Sequence, residues 1–397
     1  MKLPRMNRAQ KRLYNDICEF CQQHNRKHAI RNKSVAKVTS HTRFLHLVRS
    51  LVIDLHATGR RKEQLRRLKP RDIVALIQYW EGRISGQTIR NRLSTLRWLC
   101  RTLNKPGIMP KDPRIYMQDP SNYDIPSAAK AEMTPSAKGV DVGAYLSAVF
   151  EKDVLVGLVQ LLKIEWGLRR REAIMTRPHE QDKGDYFLVT RRRGPKGGRP
   201  RAISHYNFES RLDEVTEEFV ITDPRIDPVK RQVLELLKRF TNSRGSLIPD
   251  DYSLSRWMRW ERTVTEEYCG LNSKALGITS HKFRHEYAQV RGEIVSRLTR
   301  QFRRRDVLTP EESSRDQVAR RIVAEELGHS DRSTMNCYTG RARNRAPSGF
   351  VKKMEAAFNK RLPEPIIRRD ADGRLVGGSG MKIRIVYSDA TESNDDS

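Results

Sequence analysis

The chain has 397 residues, with 77 Lys and Arg against 48 Asp and Glu, giving a formal charge of +29 and a pI near 10.2. Such an excess draws polyanions. Its 37% hydrophobic content supports two or three globular domains. No apolar run nears the roughly 20 residues of a membrane span, and the leading MKLPRMNRAQKRLYND lacks the apolar stretch of a secretory signal.

In chain order, residues 1–38 read as a basic leader with one helix, from about residue 8 to 28. The first fifty residues hold twelve Lys and Arg and two acids, Asp16 and Glu19. Residues 39–105 are helical in pattern and form a first domain. LKPRDIVALIQYWEG places Pro70 near a helix start with Asp72 in the first turn. QTIRNRLSTLRWLCRTL puts Ile89, Leu93, Leu96, Leu99, Cys100 and Leu103 on one stripe and Arg90, Arg92, Arg97 and Arg101 opposite it. Those arginines are either a solvated face or a face for DNA.

Residues 106–139, with six prolines, read as an extended linker. A second domain covers residues 140–362. Two helices lead to WGLRRREAI, with Arg169 in a short polar turn, and residues 186–190 and 202–204 then make a β-hairpin around the turn RRRGPKGGRPR. Helices resume near 228–241, 253–268, 280–297, 317–327, 330–337 and 347–361. Residues 363–397 read as a mostly flexible tail with an acidic end and one strand near 382–387. The expected fold class is mainly α with a small β-hairpin or sheet, an α+β arrangement of two domains.

Two late phrases carry the chemistry. TSHKFRHE holds His281, Arg284 and His285, and EELGHSDRSTMNCYTG holds His329 and Tyr338. Two imidazoles, a guanidinium and a phenol suit a tyrosine attack on a phosphodiester. The pentacoordinate state gathers negative charge on the non-bridging oxygens, and planar guanidiniums clamp such oxygens by paired hydrogen bonds as lysine cannot. Arg169 and Arg284 are the candidates. A free phenol has a pKa of about 10, so Tyr338 needs help losing its proton. Fixed cations supply the electrostatic stabilisation, so no metal or other cofactor is expected.

These phrases, GLRRREAI, GPKGGRPR, HKFRH and LGHSDRSTMNCY, come in the order of the tyrosine recombinases, the phage-integrase family, with its LGH-to-Tyr spacing kept, and residues from about 39 to 362 resemble that family. The resemblance implies that Tyr338 is the nucleophile and His281 its proton acceptor, with His329 bound to a non-bridging oxygen. It makes Lys196, in the hairpin turn, the acid for the 5′-oxygen. Lys196 also reads as a phosphate-gripping base beside Arg193, Arg199 and Arg201. Glu172 either orients the site or is an ordinary acid at a helix N-terminus, and His285 stands behind the reacting groups.

The resemblance further implies a homotetramer on double-stranded DNA, an accessory bending or directionality factor, and the integrase of a mobile element at a bacterial nucleoid, in the cytoplasm. The five scattered cysteines make no disulfide framework and fit that reducing compartment. Other readings are an accessory DNA-binding protein that kept the fold and lost turnover, and a type IB topoisomerase. The stretch near 295–317, between Arg284 and His329, is longer than the family's, and in it TPEE reads as a helix start. Cys18, Cys21, His24 and His28 have ligand types of a zinc site, but their spacing fits one helix better.

Overall fold

Asn7 caps the first helix, α1 (Arg8–His24), accepting from the Gln10 backbone while the Gln10 side chain returns to that of Asn7. This reciprocal box satisfies two otherwise orphan donors. The structure, a computed structural model, describes residues 5–26, 37–124, 131–190, 200–213, 215–216, 218–272, 275–298, 308–329, 335–339, 365–378 and 383–387. It divides into two units, Met1–Pro126 and Ser127–Ser397.

In the first unit, α1 buries Leu13, Ile17 and Phe20 at helical spacing, so this helix joins the unit's core. It joins Leu51 and Leu55 of the α2 (Lys37–Leu47) to α3 (Leu55–Ala57) stretch, and α4 (Pro70–Trp80) and α5 (Gly86–Thr102). Pro70 opens α4 at its first position, where no amide is needed, and Asp72 accepts from the Lys69 amide at 2.8 Å. The expected stripe of α5 is buried at Ile89, Leu93, Leu96, Leu99 and Cys100.

The long proline-bearing linker is a correction. Pro106–Ile108, Pro113–Tyr116 and Pro120–Tyr123 are single helical turns, each opened by its proline, and Ile108 and Met117 enter the first unit's core. Proline pre-sets the first φ of a turn without losing a needed hydrogen bond, so proline density here marks turns.

The second unit starts its helices with α6 (Val142–Lys152) and α7 (Val154–Trp166), capped by Asp141 and Asp153. After α8 (Arg170–Ile174) and α9 (Pro178–Gln181), β1 (Tyr186–Val189) pairs antiparallel with β2 (Arg201–Ser204), Tyr186 facing Ser204. That hairpin matches the expectation. A second one was not expected: β3 (Tyr206–Asp213) and β4 (Glu218–Ile226) pair antiparallel with a bulge between Asn207 and Glu209.

Helices α10 (Pro228–Arg239), α11 (Leu254–Arg262), α12 (Phe283–Ser296) and α13 (Pro310–Glu326) follow, then the short α14 (Asn336–Thr339). Thr309 caps α13, accepting from Glu312 while Glu312 returns to the Thr309 amide, as TPEE implied. The tail holds the strand expected near 382–387 and two that were not expected. Strands β5 (Ile367–Arg369) and β6 (Leu375–Gly377) form a hairpin, and β7 (Ile383–Val386) adds parallel to β4. Ile366 and Ile367 pack with Tyr206, Phe208, Val295 and Ile322 beneath the sheet.

Candidate active site

The site is built from helix ends. Helix α7 stops at Gly167, whose φ of 57° is left-handed, a conformation glycine adopts without strain. A Cβ there would lie 2.5 Å from Tyr287. Two residues on, Arg169 is the N-cap of α8, and Glu172 accepts from its amide at 2.8 Å and from Nη1 at 2.9 Å. Glu172 is buried and also takes both terminal nitrogens of Arg201, at 3.0 and 2.6 Å. Burial alone would raise its pKa, but Arg201 first, then Arg169, hold it down to about 2. Glu172 therefore orients Arg169 as well as capping the helix, so both sequence readings describe it.

The LGH phrase is a helix stop. Gly328 has a φ of 71°, its amide reaches Glu325 O at 2.7 Å, and the His329 amide reaches Ala324 O at 2.8 Å. This is the paired 5→2 and 6→1 arrangement of a Schellman cap. It leaves the Leu327 carbonyl pointing into the site, where Arg169 Nη2, at 3.2 Å, and Arg284 Nη2 both donate to it. Arg284 is buried on the first turn of α12 and also donates to Gly167 O.

Tyr338, on α14, is 6% exposed. Its hydroxyl accepts from Arg284 Nε at 3.1 Å and lies 2.9 Å from His329 Nε2. Its carbonyl accepts from Gln289 Nε2 at 3.1 Å, and the neighbouring Thr339 hydroxyl accepts from Arg320 at 2.8 Å. The His285 ring stacks at a tilt 4.7 Å from the phenol ring, and Lys282 donates to His285 Nε2 at 3.3 Å. Four of the sequence candidates thus converge: Arg169, Arg284, His329 and Tyr338.

His281 stands on the 3-10 turn Ser280–Lys282 before α12. The imidazole bonded to the phenol is His329, not His281. The protein packed around His281, then Arg284, Lys163, Lys282 and Arg169, push its pKa down to about 4. Its surface is nevertheless exposed, and water moderates any such depression. The direction stands: the His281 imidazole is held neutral at neutral pH. Burial, then Lys282, push His285 down to about 3.

Some expectations land elsewhere. Arg201 is 3% exposed, with Nε donating to Glu326 O at 2.6 Å. It props Glu172 in the interior and is not a DNA-contacting turn residue. Arg92 is also turned inward, paired with buried Asp54 and set 5.2 Å over the Trp80 ring. Arg90 stacks on Tyr123 and donates to its carbonyl at 2.9 Å, Arg97 is half-buried and Arg101 is exposed. Lys196, Arg193 and Arg199 lie outside the described residues, as do His28 and part of the 295–317 stretch. Cys18, Cys21 and His24 share α1. Among the described residues no three His, Cys, Asp or Glu side chains gather as metal ligands, and no helix is long and apolar enough to cross a membrane.

No protein-family model and no curated protein matches the chain. Among solved structures, the chain is similar to a Tn1549 transposon integrase fragment in complex with circular intermediate DNA. The identity is 14% over 86% of this chain and 99% of that one, with a TM-score of 0.45. It is also similar to a lambda integrase dimer bound to a COC′ core site, at 13% identity over 84% and 80% of the two chains and a TM-score of 0.47. A third is the XerH site-specific recombinase bound to a palindromic difH substrate, at 12% identity over 86% and 84% and a TM-score of 0.44. These are integrases and recombinases, the class that the sequence phrases resemble. The overlap is loose, and the functional reading rests on the side chains of this chain.

Proposed function

We propose that the chain is a tyrosine-type site-specific DNA recombinase, the integrase of a mobile element. It would cleave and rejoin DNA through a 3′-phosphotyrosyl intermediate. One observation carries this reading: a phenol gripped by both an arginine Nε and an imidazole, with a second arginine turned to the same carbonyl. A structural tyrosine needs one partner for its hydroxyl. Two cation-forming groups beside one phenol make a site for attack on a phosphodiester.

On bound DNA, Arg169 and Arg284 donate to the non-bridging oxygens of the scissile phosphate, and His329 donates a third hydrogen bond. Tyr338 Oη attacks phosphorus, its proton passes to His281, and the bond from phosphorus to the 5′-oxygen breaks. That oxygen leaves with a proton, for which Lys196 is the candidate donor. The phosphotyrosyl ester keeps the bond energy, so a 5′-hydroxyl from another strand attacks it and releases Tyr338 without ATP. Preorganised donors of this kind commonly contribute about 10²–10³ each in rate.

The partner is double-stranded DNA, which the charge of +29 favours. Exchange between two duplexes calls for a homotetramer, helped by an accessory bending or directionality factor in the bacterial cytoplasm. The test is covalent trapping on a nicked suicide substrate drawn from DNA flanking the gene. Wild type should form a protein–DNA adduct that survives denaturation and that Tyr338→Phe lacks. Tight, specific binding with no adduct from wild type would turn the reading to a DNA-binding accessory protein.

A further inference from the structure

Behind the site lies a buried ionic cluster that the reaction scheme does not use. Lys163, in the mostly apolar α7, is 1% exposed, and Glu261 on α11 is 0% exposed. Lys163 Nζ donates to Glu261 Oε1 at 2.6 Å, to Gln160 Oε1 at 3.1 Å and to Ser280 Oγ at 2.9 Å. Gln160 Nε2 donates to the same Glu261 oxygen at 3.0 Å. The other oxygen of Glu261 takes Arg170 Nε, and Arg170 also bonds the Met258 carbonyl.

The partners are what matter. Ser280 immediately precedes His281, and Arg170 immediately follows Arg169. One carboxylate therefore reaches, directly at Arg170 and through Lys163 at Ser280, the residues adjoining two candidate catalytic side chains that are 112 positions apart in sequence. Burying a cation and an acid is costly, and a well-packed apolar cluster is commonly as stable or more so. Stability alone gives little reason for the arrangement; fixing two chain segments in register does, because small displacements of reacting groups cost rate steeply.

We propose that Lys163 and Glu261 are positioning residues for the DNA-cleavage reaction, a buried tie that holds the Ser280–His281 turn and the Arg169–Arg170 helix start in fixed relation. The inference rests on the recombinase reading above. Lys163 has a second effect. Together with Arg284, Lys282 and Arg169 it faces His281, while His285 lies near Lys282, His281 and Arg284. Its ammonium disfavours the imidazolium and keeps His281 a neutral acceptor.

The experiment measures single-turnover cleavage of the nicked substrate against pH, with DNA affinity and thermal unfolding as controls. It compares wild type, Lys163→Met/Glu261→Gln and Ser280→Ala. The double variant removes one charge of each sign and leaves Arg170, which is partly exposed, to solvent. It should fold and bind DNA, cleave roughly tenfold or more slowly, and have an acid limb moved to higher pH, since losing a cation makes His281 easier to protonate. Ser280→Ala keeps both charges and cuts only the tie to the turn, so it should slow cleavage without moving the limb. It decides alone if the double variant does not fold.

Wild-type rates in folded, DNA-binding variants would overturn the inference. So would a slow double variant with an unmoved acid limb, which would make the cluster merely structural. Absence of any Tyr338 adduct from wild type would instead sink the recombinase reading, and this inference with it.

Discussion

Arg284 is the residue on which most of the site depends, since it touches Gly167 O, Leu327 O and the Tyr338 hydroxyl at once. Arg284→Lys keeps a charge but loses the fork, and no single ammonium reproduces three divergent donors. Adduct formation should fall about 10²–10³-fold with DNA affinity little changed, as gel-shift and trapping assays would show. A second prediction concerns acid. His205 is buried, its Nδ1 lies 3.0 Å from Gly184 O, and burial first, opposed by that hydrogen bond, pushes it down to about 4. Between that value and the ordinary 6.5, the unfolded chain binds more protons than the folded one, so stability falls as pH falls through this window. Thermal melts from pH 7 to 4 should show the loss, and His205→Asn, which keeps a donor and cannot titrate, should flatten it. At this scale the residue types of the site are legible in the sequence, because Arg169, Arg284, His329 and Tyr338 stand in recognisable phrases. Lys163 and Glu261 are not. A lysine in VLVGLVQLLKIEW looks like a stray surface charge, and its partner lies 98 positions away. Arg201 reads as one more cation of the basic turn, although period-2 alternation puts it on the same face as buried Ile203.

Among elements, α13 braces the candidate nucleophile. Its Arg320 bonds Thr339, next to Tyr338, and its C-terminal cap sets His329. Gly328→Ala would strain a left-handed residue and bring its Cβ to 3.0 Å from Arg201. It should cost about 1 kcal/mol or more and slow cleavage by displacing His329, read out by unfolding and by adduct kinetics together. Thr309→Ala removes a cap at the far end of the same helix, worth about 1 kcal/mol, and should lower stability with little change in cleavage. The helices and their starts are readable from caps and stripes, as Thr309, Pro70 and Ile89 show. The β3–β4 hairpin is not. Tyr206, Phe208 and Ser210 are buried while Asn207, Glu209 and Arg211 are not, so a strand's alternation is present, but the pairing with β4 and the bulge between Asn207 and Glu209 are set by tertiary packing. Strand β7 is legible as a strand, while its parallel partner β4, over 150 residues earlier, is set by tertiary packing alone.

For the whole molecule, the proposed recombinase would meet DNA through its charge of +29. Duplex affinity should fall linearly with salt on a log–log plot, with a slope of about −0.9 for each phosphate neutralised. Not every arginine of α5 should contribute to it. Arg101→Ala, at an exposed position, should reduce that slope by about 1 if it faces a phosphate. Arg92→Ala should instead destabilise the first unit, because it strips a close partner from buried Asp54. The central claim is that Tyr338 makes the covalent bond to DNA. The most direct measurement is mass spectrometry of the trapped adduct after nuclease trimming and proteolysis. A nucleotide joined through its 3′-phosphate to Tyr338, with the other fragment ending in a free 5′-hydroxyl, is the result expected. A nucleotide on any other residue, or one attached through its 5′-phosphate, would contradict the account.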